Sequence, residues 1–86
     1  MSDDLKEQTR KRIGWRIQTL RKLQGLTQEQ LADRAGLQRQ HVTRIEAGRY
    51  AVTIDVLQSI ADALGMTVDL IDPKLADMAP LKTLDI

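Results

Sequence analysis

Residues 38–49 read QRQHVTRIEAGR and hold three arginines, two glutamines and the single histidine of the chain. A guanidinium presents a planar fork of N–H donors, and a primary amide presents donors beside an acceptor. Both shapes grip a planar edge by two hydrogen bonds at once, Arg on guanine O6/N7 and Gln on adenine N6/N7. A lone histidine raises two other chemistries, metal ligation and general base catalysis. The chain has no cysteine and no second histidine, which removes disulfides, thiolate metal sites and cysteine nucleophiles. No serine is placed for His41 to activate, no paired acids sit in an apolar setting, and no phosphate-cradling glycine loop occurs. Neither an enzyme nor a metal or other cofactor is expected. His41 keeps two readings, a phosphate or base contact and a neutral packing role.

The elements that must carry these side chains follow from periodicity. At about 100° per residue, a helix over about 39–47 points Val42 and Ile45 to one side. Gln40, Thr43, Arg44 and Ala47 then face the other side, with Arg39 flanking them and Gln38 at the start. Ala47 is small enough to let that face approach a surface. Glu46 stands four residues after Val42, about 40° from it, on the border of the inward face. Gly48 ends the helix. Before it, LTQEQLADRAG (26–36) carries a capping box in Thr27 and Gln30 and an apolar stripe of Leu31, Ala32 and Ala35, closed by Gly36. A first helix is expected at about 6–24, with Leu5, Ile13, Ile17 and Leu20 on its inner side and Gly25 after its end. Thr53 caps a fourth helix, Asp55 suits its positive end, and Ile54, Leu57, Ile60, Ala61 and Leu64 form its inner face up to Gly65.

The period then changes. In MTVDLID (66–72), Met66, Val68 and Leu70 alternate with Thr67 and Asp69, a short strand pattern bounded by Asp72 and Pro73. A single strand cannot satisfy its own ladder. Its partner is either 80–86 (PLKTLDI) or, more economically, the same strand of a second copy. The other reading of 66–72 is an extended tail packed on the fourth helix.

At 86 residues the chain is one domain, too small to build a large core, and a partner copy would add stability. Its core is aliphatic, since Trp15 and Tyr50 are the only aromatics. No membrane span or signal peptide is evident, so a cytoplasmic location is expected. The net charge of +1 conceals an asymmetry: residues 1–50 carry +5, residues 51–86 carry −4, and 10–49 alone carry +7. A basic half suits a polyanion, while the acidic half has another task.

Two short helices joined by a glycine turn over Gln28–Ala47, with Ala32 at their crossing, have helix-turn-helix spacing. The segments GLTQEQLADRAGLQRQHVTRIEAGR and TIDVLQSIADALGM make the likeness specific. From about Ile13 to Met66 the chain resembles the Cro/cI-type, or XRE, helix-turn-helix regulators. The resemblance implies an all-α, lambda-repressor-like bundle of four to five helices, with a short C-terminal β-strand used in dimerisation. Its domains are a flexible segment 1–8, a DNA-binding domain 9–65, and a strand and tail 66–86. It implies a homodimeric transcriptional regulator, in the first place a repressor, that binds double-stranded DNA at an inverted-repeat operator. Base-reading positions fall on Gln38, Arg39, Gln40, Thr43 and Arg44. Phosphate-contacting positions fall on Gln28 at the start of the second helix, on His41, and on Arg49 and Tyr50 after the third. Arg21 on the first helix and Glu46 correspond to a buried structural ion pair. Two other readings stay open: an antitoxin that holds a toxin protein through its acidic C-terminal half, and an interaction module that binds no DNA. The chain departs from the pattern at Gln38, where Ser or Thr usually caps the helix, and in YAVT (50–53), which lacks the usual basic and proline residues.

Overall fold

The computed structural model describes residues 3–74, and four helices lie among them: α1 (Asp3–Leu23), α2 (Gln28–Ala35), α3 (Arg39–Glu46) and α4 (Ile54–Ala63). α1 begins at Asp3 rather than at 6, so most of the segment expected as a flexible lead-in is helical. Acidic residues there suit the positive end of the helix dipole. Lys11 Nζ lies 2.9 Å from the Glu7 carboxylate one turn earlier. That hydrogen bond, aided by the ammonium charge, holds Glu7 below the usual carboxylate range. Both side chains are exposed, so the pair contributes little to stability.

Local chemistry sets the other boundaries. Thr27 Oγ1 accepts from Gln30 N at 3.0 Å and Gln30 Oε1 accepts from Thr27 N at 2.8 Å, a complete capping box that starts α2. Gly36 ends α2 in the left-handed region at φ 71°, a conformation that costs other residues about 1–2 kcal/mol. Leu37 N then donates to Ala32 O at 2.8 Å, which turns the chain towards α3. The first residue before α3, Gln38, makes no side-chain cap, so this helix starts without the usual hydroxyl or carboxylate acceptor. Thr53 Oγ1 accepts from Val56 N at 3.2 Å and starts α4.

One aliphatic cluster joins the elements: Ile17 from α1, Leu26, Leu31 and Ala32 from the α2 region, Val42 and Ile45 from α3, and Ile60 and Leu64 from the α4 end. Ile13, Leu20, Val52, Val56 and Leu57 close its edges. Trp15 and Tyr50 both stay exposed, leaving the core aliphatic. Two expected core residues lie outside it. Leu5 is 50% exposed because the first turns of α1 run past the body of the bundle. Ile54 is 72% exposed. It lies about 70° from the middle of the α4 inner face, at the first residue of the helix, and Val52 and Val56 cover that end of the core instead.

The expected strand is the larger correction. Residues 66–72 have no strand assignment, and among the described residues there is no β-ladder. Alternation specifies two faces but supplies no hydrogen-bonding partner, and none of the four helices can provide a ladder. Leu70 is 97% exposed, and Met66 and Ile71 are also exposed; only Val68 is half-buried and Met66 N donates to Ala61 O at 2.7 Å, so the segment touches the end of α4 at its start and leaves most of its apolar side chains uncovered. The alternative partner at 80–86 lies outside the described residues. Gln24 Nε2 does donate to Leu64 O at 2.8 Å, tying the end of α1 to the end of α4.

Candidate nucleic-acid interface

α3 divides into two faces as its sequence requires. Val42 and Ile45 are buried, while Gln38, Arg39, Gln40, Thr43, Arg44 and Ala47 are exposed along one side. Arg49 and Tyr50 follow on the exposed loop. The side chains of Gln38, Arg39, Gln40, Arg44 and Arg49 make no hydrogen bond or ion pair to the described residues. Their donors therefore remain available to a ligand. Gln38, Gln40, His41, Arg44 and Tyr50 line a shallow open hollow on this side. Arg39 also borders a second open hollow, beside Thr27, Gln28 and Glu29 at the start of α2.

The inward edge of α3 is tied down by a polar chain of four residues. Arg21 Nε donates to Glu46 Oε2 at 2.7 Å and Arg21 Nη2 to Glu46 Oε1 at 3.0 Å, a two-point contact buried between α1 and α3. Arg21 Nη1 also donates to Leu26 O at 2.8 Å, so the same guanidinium holds the α1–α2 turn. The hydrogen bond to Glu46 raises the Arg21 pKa further above its ordinary value, against the opposing effect of burial. Gln28 Nε2 donates to Glu46 Oε1 at 3.1 Å, and Gln28 Oε1 accepts from Thr43 Oγ1 at 2.8 Å. The amide orientation is forced, because a carboxylate only accepts and so must face the Nε2 end. Thr43 Oγ1 also lies 3.1 Å from Arg39 O. Gln28 is thus more than an exposed residue at a helix start: it links α2 to α3 at two points. One Nε2 proton remains for a ligand.

His41 is half-buried and meets Tyr50 edge to face, with ring centroids 5.0 Å apart and an interplanar angle of 88°. Its Nε2 is enclosed and has no hydrogen-bond partner among the described residues. The ring braces the loop after α3 against the helix, which favours the packing role, and the pair forms one wall of the first hollow. Among the described residues no group of three or more His, Cys, Asp or Glu is placed to hold a metal.

Sequence reasoning passed over one residue that positions the site. Gly14 is buried where α1 crosses α3, and a Cβ there would stand 2.5 Å from Ile45 O and 2.6 Å from Glu46 O. Gly48, at φ 72°, meets the same helix; a Cβ on it would stand 2.7 Å from Lys11 Cα. α1 therefore lies with bare backbone against the end of α3. The available signal was a glycine inside a helical pattern, which marks a close approach or a functional reason.

Two short helices joined by a left-handed glycine, the second held at its inner edge and open along its outer one, define a helix-turn-helix protein. A helix-turn-helix family model matches residues 17–71, and the chain belongs to the Cro/cI-type, or XRE, family of helix-turn-helix regulators. It is 42% identical over 59 residues to the immunity repressor protein of Bacillus phage phi105, a match covering 69% of this chain and 41% of that one. It is 37% identical over 75 residues to an HTH-type transcriptional regulator of Sinorhizobium fredii, covering 86% of this chain and 95% of the relative. Among solved structures, the clp gene regulator ClgR from Corynebacterium glutamicum is similar with a TM-score of 0.65 and 28% identity, over 67% of this chain and 62% of that one. The fold and the relatives are those of regulators rather than of an enzyme. No helix among the described residues is long and apolar enough to cross a membrane.

Proposed function

We propose that the chain is a sequence-specific double-stranded DNA-binding regulator that acts as a homodimer, in the first place as a repressor, with α3 in the major groove. The observation that carries this reading is the outer side of α3. Gln38, Arg39, Gln40 and Arg44 stand there exposed, with planar hydrogen-bonding groups not engaged by any of the described residues. A helix fits the major groove, and Arg and Gln are the side chains that match guanine and adenine edges there. The charge of +7 across residues 10–49 supports attraction to phosphates. Gln28, with its remaining Nε2 proton at the start of α2, and Arg49 and Tyr50 beyond the other end of the reading helix, take the phosphate positions, with His41 packed behind Tyr50. They fix register while the bases fix choice. A second copy is supported by Met66, Leu70 and Ile71, large apolar side chains that the described residues leave exposed. The phage relative named as a repressor supports the direction of control.

Binding-site selection from random duplexes, read by sequencing, tests the reading. The expected operator is an inverted repeat whose half-sites lie about 34 Å apart, one DNA turn. On that operator Arg44→Ala is expected to cost about 1–3 kcal/mol and relax one base position, whereas Arg49→Ala, at a phosphate position, weakens binding to all sequences alike. An Arg44→Ala variant that selects and binds the same operator unchanged would overturn the reading face.

A further inference from the structure

We propose that Thr43 reads DNA through its methyl group rather than its hydroxyl, and that it selects a thymine. The inference rests on the DNA-binding reading above and adds a chemical identity to one of its contacts. A threonine hydroxyl has one proton. In this protein that proton faces two acceptors, Gln28 Oε1 at 2.8 Å and the Arg39 carbonyl at 3.1 Å. Gln28 is itself held from the other side, because its Nε2 donates to Glu46 Oε1 at 3.1 Å. Glu46 is fixed in turn by the buried two-point contact with Arg21. The acceptor facing Thr43 is therefore anchored through three residues to α1. Turning the hydroxyl towards a base would remove the donor from a half-buried amide oxygen and break into that chain.

Thr43 nevertheless lies on the exposed side of α3, about 60° round the helix from Gln40 on the edge nearest α2. With its proton committed inward and its oxygen set against Gln28 Oε1 and the Arg39 carbonyl, the hydroxyl faces away from the outer side, and the group left to offer there is the β-branched methyl. In the major groove the matching group is the thymine 5-methyl, the one apolar feature on a base-pair edge there. Gln40 and Arg44, with free planar groups, read hydrogen-bonding edges; Thr43 at their flank reads shape. The stiffness of a β-branched side chain in a helix keeps the methyl in one place.

The experiment uses the full chain and the operator it selects. Each thymine of a half-site is replaced in turn by deoxyuridine, which removes only the methyl, and affinities are compared for the parent, Thr43→Ser and Thr43→Val. One thymine is expected at which deoxyuridine weakens the parent about fourfold, the value of one buried methyl. Thr43→Ser, which keeps the hydroxyl, loses about the same on the thymine operator and no longer distinguishes the two bases there. Thr43→Val, which keeps the methyl, retains the discrimination. The inference is overturned by an operator with no fixed thymine, by a parent indifferent to every replacement, or by Thr43→Val losing discrimination while Thr43→Ser keeps it. In those cases tight operator binding persists and the DNA-binding reading stands. A chain that selects no operator at all overturns that reading and this inference together.

Discussion

Arg21 shows how much one side chain can hold when its shape matches its surroundings. Its fork meets both oxygens of Glu46 and its third nitrogen meets Leu26 O, so the first turn of the motif and the end of the reading helix share one anchor. A buried pair of this kind is weak evidence of net stability, but breaking it strands a charge. Arg21→Ala is expected to lower unfolding free energy by about 3–5 kcal/mol, against less than about 0.5 kcal/mol for the exposed Lys22→Ala. Urea unfolding of the two variants measures the difference, and equal midpoints would contradict it. Arg21→Lys should fall between them, since a single ammonium cannot span the same contacts. The placing of Glu46 was legible from helical angles, and its partner from family resemblance. The bridge through Gln28 was not, because side-chain contact between two helices depends on their crossing geometry, which periodicity does not specify.

At the scale of elements, the crossing of α1 and α3 depends on what Gly14 lacks. Gly14→Ala places a carbon against two backbone carbonyls that have no rotamer with which to yield. The variant is expected to lose at least about 1–3 kcal/mol, the usual cost of overpacking, and to weaken DNA binding as well, because α3 must shift. Gly25→Ala is the control: its φ is 71° but nothing lies near a new Cβ, so it should cost about 1–2 kcal/mol of stability and leave affinity unchanged once folded. Thermal unfolding paired with duplex titration separates the two outcomes. Boundaries of α2, α3 and α4 were readable because Thr27, Gly36, Gly48 and Thr53 impose them locally. The start of α1 was missed because residues 3–8 are polar apart from Leu5 and carry no apolar period. The strand at 66–72 was over-read because alternation is a property of the segment, whereas a ladder belongs to a pair. Ile54 was misassigned for a related reason: its face was inferred from spacing, but the end of a helix can clear the core.

For the whole molecule the uneven charge sets the long-range behaviour. With +7 over residues 10–49 and an acidic remainder, association with duplex DNA should weaken steeply as salt rises, by about 0.9 in logarithmic slope for each phosphate neutralised. Arg49→Gln is expected to reduce that slope by about one per protomer without changing which operator is chosen. Fluorescence anisotropy across a salt series reads both quantities, and an unchanged slope would remove Arg49 from the phosphate contacts. The unengaged outer side chains of α3 have a further consequence. The side chains of Gln38, Arg39, Gln40 and Arg44 have no hydrogen-bond or ion-pair partner among the described residues, so exchanging all four should leave stability within about 1 kcal/mol, as for other exposed positions, while redirecting the protein to a different operator. Thr43 alone on that side is tied to the interior. Duplicated copies of such a chain can thus diverge in the sites they address while inheriting the same scaffold, with one position slow to follow.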